Sequence, residues 1–192
     1  YLYLFEDLFS RKLVGYEVYD AESGDYAAQL LQRSLLRERC LHKPPVLHSD
    51  NGAPMKAQTM KAKLEELGVL PSYSRPRVSN DNAYIESVFR VLKYRPQWPS
   101  SGFTSLEEAR QWVDRFVHWY NTEHRHSSLN FVTPEQRHDG EDAAILAQRK
   151  AVLEQAKQRN PLRWGTRSVR NCEPVGPVTL NPEKEINVQQ AA

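Results

Sequence analysis

The sequence predicts an α/β fold built on a mixed sheet. Three observations predict it. Two strand-like runs stand back to back at the front of the chain. Two short apolar runs, 46–49 and 69–74, flank a segment with helical spacing. Two amphipathic helical patterns then follow, the second long and rich in aromatics. Counting a helix after the first two runs, the order is strand, strand, helix, strand, helix, strand, helix, helix.

Residues 1–9 and 13–19 read as strands, Tyr-Leu-Tyr-Leu-Phe and Leu-Val-Gly-Tyr-Glu-Val-Tyr, joined by Ser10-Arg11-Lys12 as an antiparallel hairpin. Residues 24–41 read as a helix, with Ala27, Leu30, Leu31, Leu35 and Cys40 near helical spacing and Pro44-Pro45 beyond its end. Val46-Leu47-His48-Ser49 reads as a buried strand that delivers Asp50 at its C-terminal end. Residues 56–67 read as one helix closed by Gly68, and 69–74 as the next strand.

Asn80-Asp81-Asn82 is a run of helix-capping types. In the helix after it, Ile85, Phe89 and Leu92 share one face, while Glu86, Arg90 and Lys93 share a neighbouring stripe. Pro96 and Pro99 mark a loop. Thr104-Ser105 caps a long helix to about Asn121, with Leu106, Ala109, Trp112, Val113, Phe116, Trp119 and Tyr120 as its apolar face. That aromatic stripe is read as core or as a protomer interface, not as a platform for stacking bases. Residues 141–158 read as a polar helix, Val178-Thr179-Leu180 as a short strand, and 189–192 as disordered.

Composition narrows the class. The 192 residues allow one core domain and a small appendage. No stretch approaches the ~20 apolar residues of a membrane helix, and no signal-peptide pattern stands at the start. Cys40 and Cys172 make no disulfide framework, which points to a reducing, cytoplasmic setting. Net charge is only +2, but its distribution is uneven. Between 149 and 170 lie seven bases (Arg149, Lys150, Lys157, Arg159, Arg163, Arg167 and Arg170) against one acid, Glu154. Such an excess suits a phosphate partner, or a solvated helix face and tail. Zinc is not expected: Cys40, His42 and His48 match no usual finger spacing, and a fourth ligand is missing.

Two carboxylates carry most of the functional signal. Asp50 follows an apolar run, in His48-Ser49-Asp50-Asn51-Gly52. Glu86 opens the helix that carries Arg90 and Lys93, with 86 − 50 − 1 = 35 residues between the acids. An acid pair beside bases suits divalent metal held against a phosphate backbone.

His-Ser-Asp-Asn-Gly, an acid 35 residues on, and a base seven further resemble the catalytic core shared by retroviral integrases and bacterial insertion-sequence transposases. Phe116-Val117-His118-Trp119-Tyr120-Asn121, His124-Arg125-His126-Ser127-Ser128-Leu129 and Val132-Thr133-Pro134 resemble one group of the latter, whose transposase comes from the second of two overlapping frames (OrfB type). Ser10-Arg11-Lys12-Leu13-Val14-Gly15 resembles that group's hairpin. The match covers roughly residues 1–137.

The resemblance implies a ribonuclease-H-like fold and three catalytic acids. Asp50 matches the second and Glu86 the third, as catalytic and metal-holding residues. The first lies in the family on a strand before the hairpin. This chain begins inside the hairpin, so the first strand is expected to be missing and the chain N-terminally truncated. Asp7 is not assigned to the missing role. Residues 1–137 would form the integrase-type core, incomplete at its front, and 138–192 a C-terminal helix and basic tail.

The implied reaction is Mg²⁺- or Mn²⁺-dependent phosphoryl transfer on DNA, cutting and joining strands. The implied partners are element ends, target DNA and further copies of the chain, in the bacterial cytoplasm at the nucleoid, with no membrane. Lys93 and Arg90 become candidates for DNA-backbone contact, against pairing of Arg90 with Glu86 along the helix. Arg125 and His126 either latch the long helix or touch DNA. His48 either supports the site or is a packed histidine. Two other functions stay open: a catalytically dead remnant that binds DNA and oligomerises, and a ribonuclease-H-type nuclease.

Overall fold

The computed structural model describes residues 1–76 and 78–180. Strand β1 (Leu2–Glu6) and strand β2 (Leu13–Val18) form the hairpin, antiparallel, with Leu2 opposite Val18 and a bulge between Phe5 and Glu6. Asp7 holds the turn: its carboxylate accepts the Ser10 N–H at 3.0 Å and the Ser10 hydroxyl at 2.5 Å. Arg11 takes the left-handed conformation that reverses the chain, φ 65°.

Helix α1 (Gly24–Arg37) starts at Ser23, whose side chain accepts the Asp25 N–H, and buries Ala27, Ala28, Leu31 and Leu35. It stops short of the expected residue 41. Arg39 turns left-handed, φ 54°, and ends the periodicity before Cys40. Strand β3 (Val46–Ser49) pairs parallel with strand β4 (Leu70–Tyr73), Val46 opposite Leu70. Between them the single helix expected over 56–67 is two. Helix α2 (Ala53–Lys56) and helix α3 (Gln58–Glu66) are separated by Ala57 in an extended conformation, ψ 146°. Gly68 closes α3 at φ 66°, as its position predicts.

A short 3-10 turn over Ser79–Asn82 leads into helix α4 (Ala83–Lys93). Helix α5 (Leu106–Thr122) is capped by Ser105, which accepts the Glu108 N–H at 3.1 Å. Helix α6 (Pro134–His138) carries a capping box: Thr133 and Gln136 bond each other's backbone N–H, which explains the Thr-Pro pair at its start. Helices α7 (Asp142–Arg159) and α8 (Pro161–Trp164) are the last helices among the described residues. The strand expected over 178–180 is not formed; these residues are irregular. Residues 189–192 lie outside the described residues.

The aromatic stripe of α5 is core. Trp112, Val113, Phe116, Val117 and Tyr120 pack with Leu13 and Val18 of β2 and with Val88 and Leu92 of α4. A second cluster joins α1 to α3 through Ala27, Leu31, Leu35, Met60 and Leu64. A third, small one sits under the C-terminal region: Leu129, Val132, Leu146 and Cys172.

The sheet is mixed in its pairings but divided in space. Among the described residues β1–β2 and β3–β4 are not hydrogen-bonded to one another. Between them opens a cleft of about 520 Å³, lined by β1 on one side, β3 on the other, the first turns of α4, and Leu180. Each pair therefore turns an unpaired strand edge to the cleft.

Candidate metal and nucleic-acid site

Asp50 stands directly after β3, exposed, on the cleft wall. The end of that strand is stitched to β4. Ser49 O accepts the Ser74 N–H at 2.9 Å, and Asn51 Nδ2 donates to Ser74 O at 2.9 Å. His48 spans Ser72 Oγ at 2.9 Å and Ser74 Oγ at 3.3 Å, packed between the strands, and also lines the cleft with Asp50. Asp50 Oδ1 accepts the Gly52 N–H at 2.9 Å. A Cβ at residue 52 would come 2.9 Å from that same oxygen, so glycine lets the carboxylate fold back over its own turn.

Glu86 lies in the first turn of α4, where the helix dipole favours an acid. It is exposed, as are Arg90 and Lys93 on the same stripe, while Val88 and Leu92 anchor the opposite face. The structure brings Asp50, Asn82, Tyr84 and Ile85 to one cleft; Glu86, Arg90 and Lys93 are not among its lining residues. Among the described residues no ion pair joins Glu86 to Arg90. No three His, Cys, Asp or Glu side chains among the described residues gather closely enough to hold a metal ion.

The capping run before α4 does something other than cap. Asn82 makes no side-chain cap bond. Asp81, 1% exposed, takes three hydrogen bonds from Arg75: N–H at 2.8 Å, Nε at 2.9 Å and Nη2 at 2.8 Å. Those bonds hold its carboxyl down at about 2, so it stays ionised and pins the approach to α4.

Sequence reasoning missed Glu6. It lines the cleft, and its Oε2 is buried without a partner. Burial pushes its carboxyl up to about 7, although the Arg11 charge pulls the other way. The available signal was the acid pair Glu6-Asp7 inside an otherwise apolar strand run.

Arg125 and His126 separate in role. Arg125 is exposed. His126 bridges to Val132 and sits beside Tyr120 and His124. Burial, His124 and Arg11 together lower it to about 4, so it is neutral near pH 7 and belongs to the latch. The basic tail is largely self-engaged. Arg149 donates to Asn130 O and Phe131 O, Lys150 pairs with Glu173 at 2.7 Å, Lys157 donates to Arg167 O, Arg167 to Arg163 O, and Arg170 lies over Phe131 at 4.4 Å.

One further constellation has the look of a hydrolase relay. Ser10 Oγ lies 3.1 Å from His138 Nδ1, and His138 Nε2 lies 3.1 Å from Glu38 Oε2. Ser10 is 0% exposed and gives its hydroxyl hydrogen to Asp7, so it is not a nucleophile. The contacts instead tie α6 to the hairpin turn and to the end of α1.

Residues 1–79 and 67–134 match two families, each described as Integrase core domain. The transposase for insertion sequence element IS904 of Lactococcus lactis is 29% identical over 143 residues, 70% of this chain and 53% of that protein. The putative transposase InsK for IS150 of Escherichia coli is 27% identical over 128 residues, 67% of this chain and 44% of that one. A Lactococcus lactis protein named ATP-dependent protease is 29% identical over 145 residues, 71% of this chain and 46% of that protein. The chain thus spans about half the length of these curated relatives. Among solved structures, the catalytic core domain of BIV integrase aligns over 70% of this chain and 82% of its own, with TM-score 0.50 and 18% identity. A chain of the simian T-cell lymphotropic virus intasome bound to PP2A regulatory subunit B56 gamma aligns over 70% and 46%, with TM-score 0.52 and 15% identity. The fold is that of the retroviral integrase catalytic core, ribonuclease-H-like. Among the described residues no helix is long and apolar enough to cross a membrane.

Proposed function

Because the chain belongs to the integrase-core family of insertion-sequence transposases, we propose that it is the core of a DNA strand transferase in which Asp50 and Glu86 are catalytic carboxylates that hold divalent metal. The family works in DNA transposition; the cutting and joining of strands by this chain, its DNA ends and target, and its assembly with further copies are the proposal.

The observation that carries it is the placement of Asp50. A carboxylate stands at the stitched end of β3, on the same cleft as the first turn of the helix that bears Glu86. The donors fit the metal in kind. Both are exposed carboxylates, and oxygen donors suit Mg²⁺ or Mn²⁺. Bound there, such a metal would polarise the scissile phosphate and activate the attacking oxygen. The chain's own residues do the rest. Asp81 with Arg75 fixes the approach to α4. Gly52 orients the Asp50 carboxylate. Arg90 and Lys93 offer positive charge to the DNA backbone on the ridge that Glu86 shares. Residues 1–137 are the proposed core and 138–192 the appended helix and basic tail.

Titration of the chain with Mn²⁺, followed by the signal of free metal, tests the reading. Asp50→Asn and Glu86→Gln should each weaken binding about tenfold or more. Equal affinity in all three proteins rejects these ligands.

A second reading is a chain that binds DNA and oligomerises without chemistry. It draws on one observation, that the Glu86 side chain is not among the cleft's lining residues. Salt-sensitive DNA binding with no metal-dependent joining of ends would support it. Peptide hydrolysis has no support here, since Ser10 is buried and its hydroxyl is engaged by Asp7.

A further inference from the structure

The hairpin turn does more than reverse the chain. Arg11 is a non-glycine residue at φ 65° and only 5% exposed. A buried cation in a left-handed conformation is unfavourable on both counts, so what it touches matters. Its guanidinium carbon lies 3.8 Å from the centroid of the Tyr84 ring, a stacking distance. Its Nη1 is buried with no hydrogen-bond partner, and the stack on Tyr84 joins the hairpin turn to α4. Tyr84 stands in the first turn of α4, two residues ahead of Glu86, and lines the cleft with Asp50.

That first turn has two other holds: Ile85 packs against the first core cluster, and Asp81 with Arg75 fixes the segment before it. Asn82 provides no side-chain cap, Ala83 is exposed, and the buried anchors Val88 and Leu92 come later in the helix. The turn that delivers Arg11 is itself held by hydrogen bonds. Asp7 N–H donates to Lys12 O at 2.8 Å, Arg11 N–H to Asp7 O at 2.7 Å, and Lys12 N–H to Ser10 Oγ at 3.2 Å. The hydrogen-bonded turn therefore adds a contact at Tyr84 that the neighbouring holds do not make.

We propose that Arg11 is a positioning residue for the metal-holding helix: its stack on Tyr84 sets the first turn of α4 and thereby the Glu86 carboxylate. Hairpin and helix then act as one unit across the cleft. The inference rests on the reading of Glu86 as a metal ligand.

The test is Mn²⁺ affinity of the full chain, read from the electron paramagnetic resonance of free Mn²⁺ at a temperature where circular dichroism shows every variant folded. The variants are Glu86→Gln, Tyr84→Leu, Tyr84→Phe, Arg11→Met and the double Arg11→Met/Tyr84→Leu. Tyr84→Leu and Arg11→Met should each weaken binding about tenfold, the usual effect of removing a group that orients a ligand. Tyr84→Phe keeps the ring and should bind as the unaltered chain does. The double variant should be no weaker than the worse single, because both remove one contact. Wild-type affinity in Tyr84→Leu beside weakened affinity in Glu86→Gln overturns the positioning role and leaves the ligand reading standing. Unchanged affinity in Glu86→Gln overturns the ligand reading and the inference with it. If Arg11→Met does not fold, the Leu and Phe pair at residue 84 decides alone.

Discussion

Asn121 closes on Leu13 from both sides. Its Oδ1 accepts the Leu13 N–H at 2.9 Å, and its Nδ2 donates to the Leu13 carbonyl at 3.1 Å. An amide at the end of α5 thus does for the first residue of β2 what a neighbouring strand would do. Both partners are buried, Asn121 at 8% and Leu13 at 2% exposure. The Tyr-Asn pair has a physical reason: Tyr120 fills the core while Asn121 pairs the hairpin.

Asn121→Ala should therefore be costly. It strands a buried N–H and a buried carbonyl together, worth about 2–4 kcal/mol. Urea unfolding of both proteins measures the loss. Asn121→Asp, which keeps the acceptor and loses the donor, should also destabilise. A loss below about 0.5 kcal/mol for the alanine variant would place it with ordinary surface changes and reject the pairing role.

Much of the fold was legible, and the misses have causes. The hairpin, α4 and α5 follow from periodicity, because each buries one face and its apolar spacing records that face. Strands β3 and β4 follow from their short apolar runs, but β3 is not the buried strand expected, since Val46 is exposed. The break at Ala57 did not, because Ala57 is extended for a tertiary reason. Gly24 of α1 approaches so closely that a Cβ there would meet Ala57 and Thr59. Asp50 and Glu86 were singled out by context, an acid after an apolar run and an acid opening a helix beside two bases, and then by resemblance; their spacing carried little, since acid pairs are common. Asp81 stood in a run of capping types, and its pairing was not legible because its partner, Arg75, is fixed only by the folded loop. Arg11 was visible in the motif, but its burial against Tyr84 is a contact between residues 73 positions apart (84 − 11), which no local pattern encodes.

Glu6 makes stability fall as pH rises. Its carboxyl stands near 7 in the fold against an ordinary 4.5, because burial disfavours the charge. The protonated form is thus favoured by folding. Its contribution is complete below pH 4.5 and is lost as pH climbs through 7, about 3 kcal/mol in all. His126 has the opposite slope: lowered from 6.5 to about 4, it favours the fold above 6.5 and ceases to do so as pH falls through 4. Urea midpoints of the chain and of Glu6→Gln across pH 4 to 8 separate the two. The advantage of the glutamic acid over glutamine should shrink steadily between 4.5 and 7. A constant difference across that window would mean that Glu6 does not titrate in the fold.

Val46 and Leu70 face each other in register at the start of the parallel pair, 62% and 66% exposed. Apolar residues on an exposed strand pair invite association through the neighbouring free edge. Val46→Lys and Leu70→Lys should raise the concentration at which light scattering appears, with unfolding midpoints within about 0.5 kcal/mol of the parent, as expected of surface sites. Unchanged scattering in both variants would show that this pair is not the adhesive surface.

Lys93 offers the sharpest test of the DNA face. It is exposed on the stripe of Glu86 and Arg90, at the end of α4 where the helix dipole favours a cation. Lys93→Glu changes net charge from +2 to 0, since one charge is removed and its opposite added. Lys63→Glu makes the same change on a different helix, α3, at a lysine whose Nζ lies 2.6 Å from Glu66. Binding to a mixed-sequence duplex, followed by fluorescence anisotropy over a salt series, compares them. If Lys93 meets a phosphate, its reversal should lower the slope of log affinity against log salt by about one and weaken binding severalfold at low salt. Lys63→Glu should alter the slope far less. Equal effects would reduce the role of Lys93 to net charge, and no effect in Lys93→Glu would remove it from the DNA face.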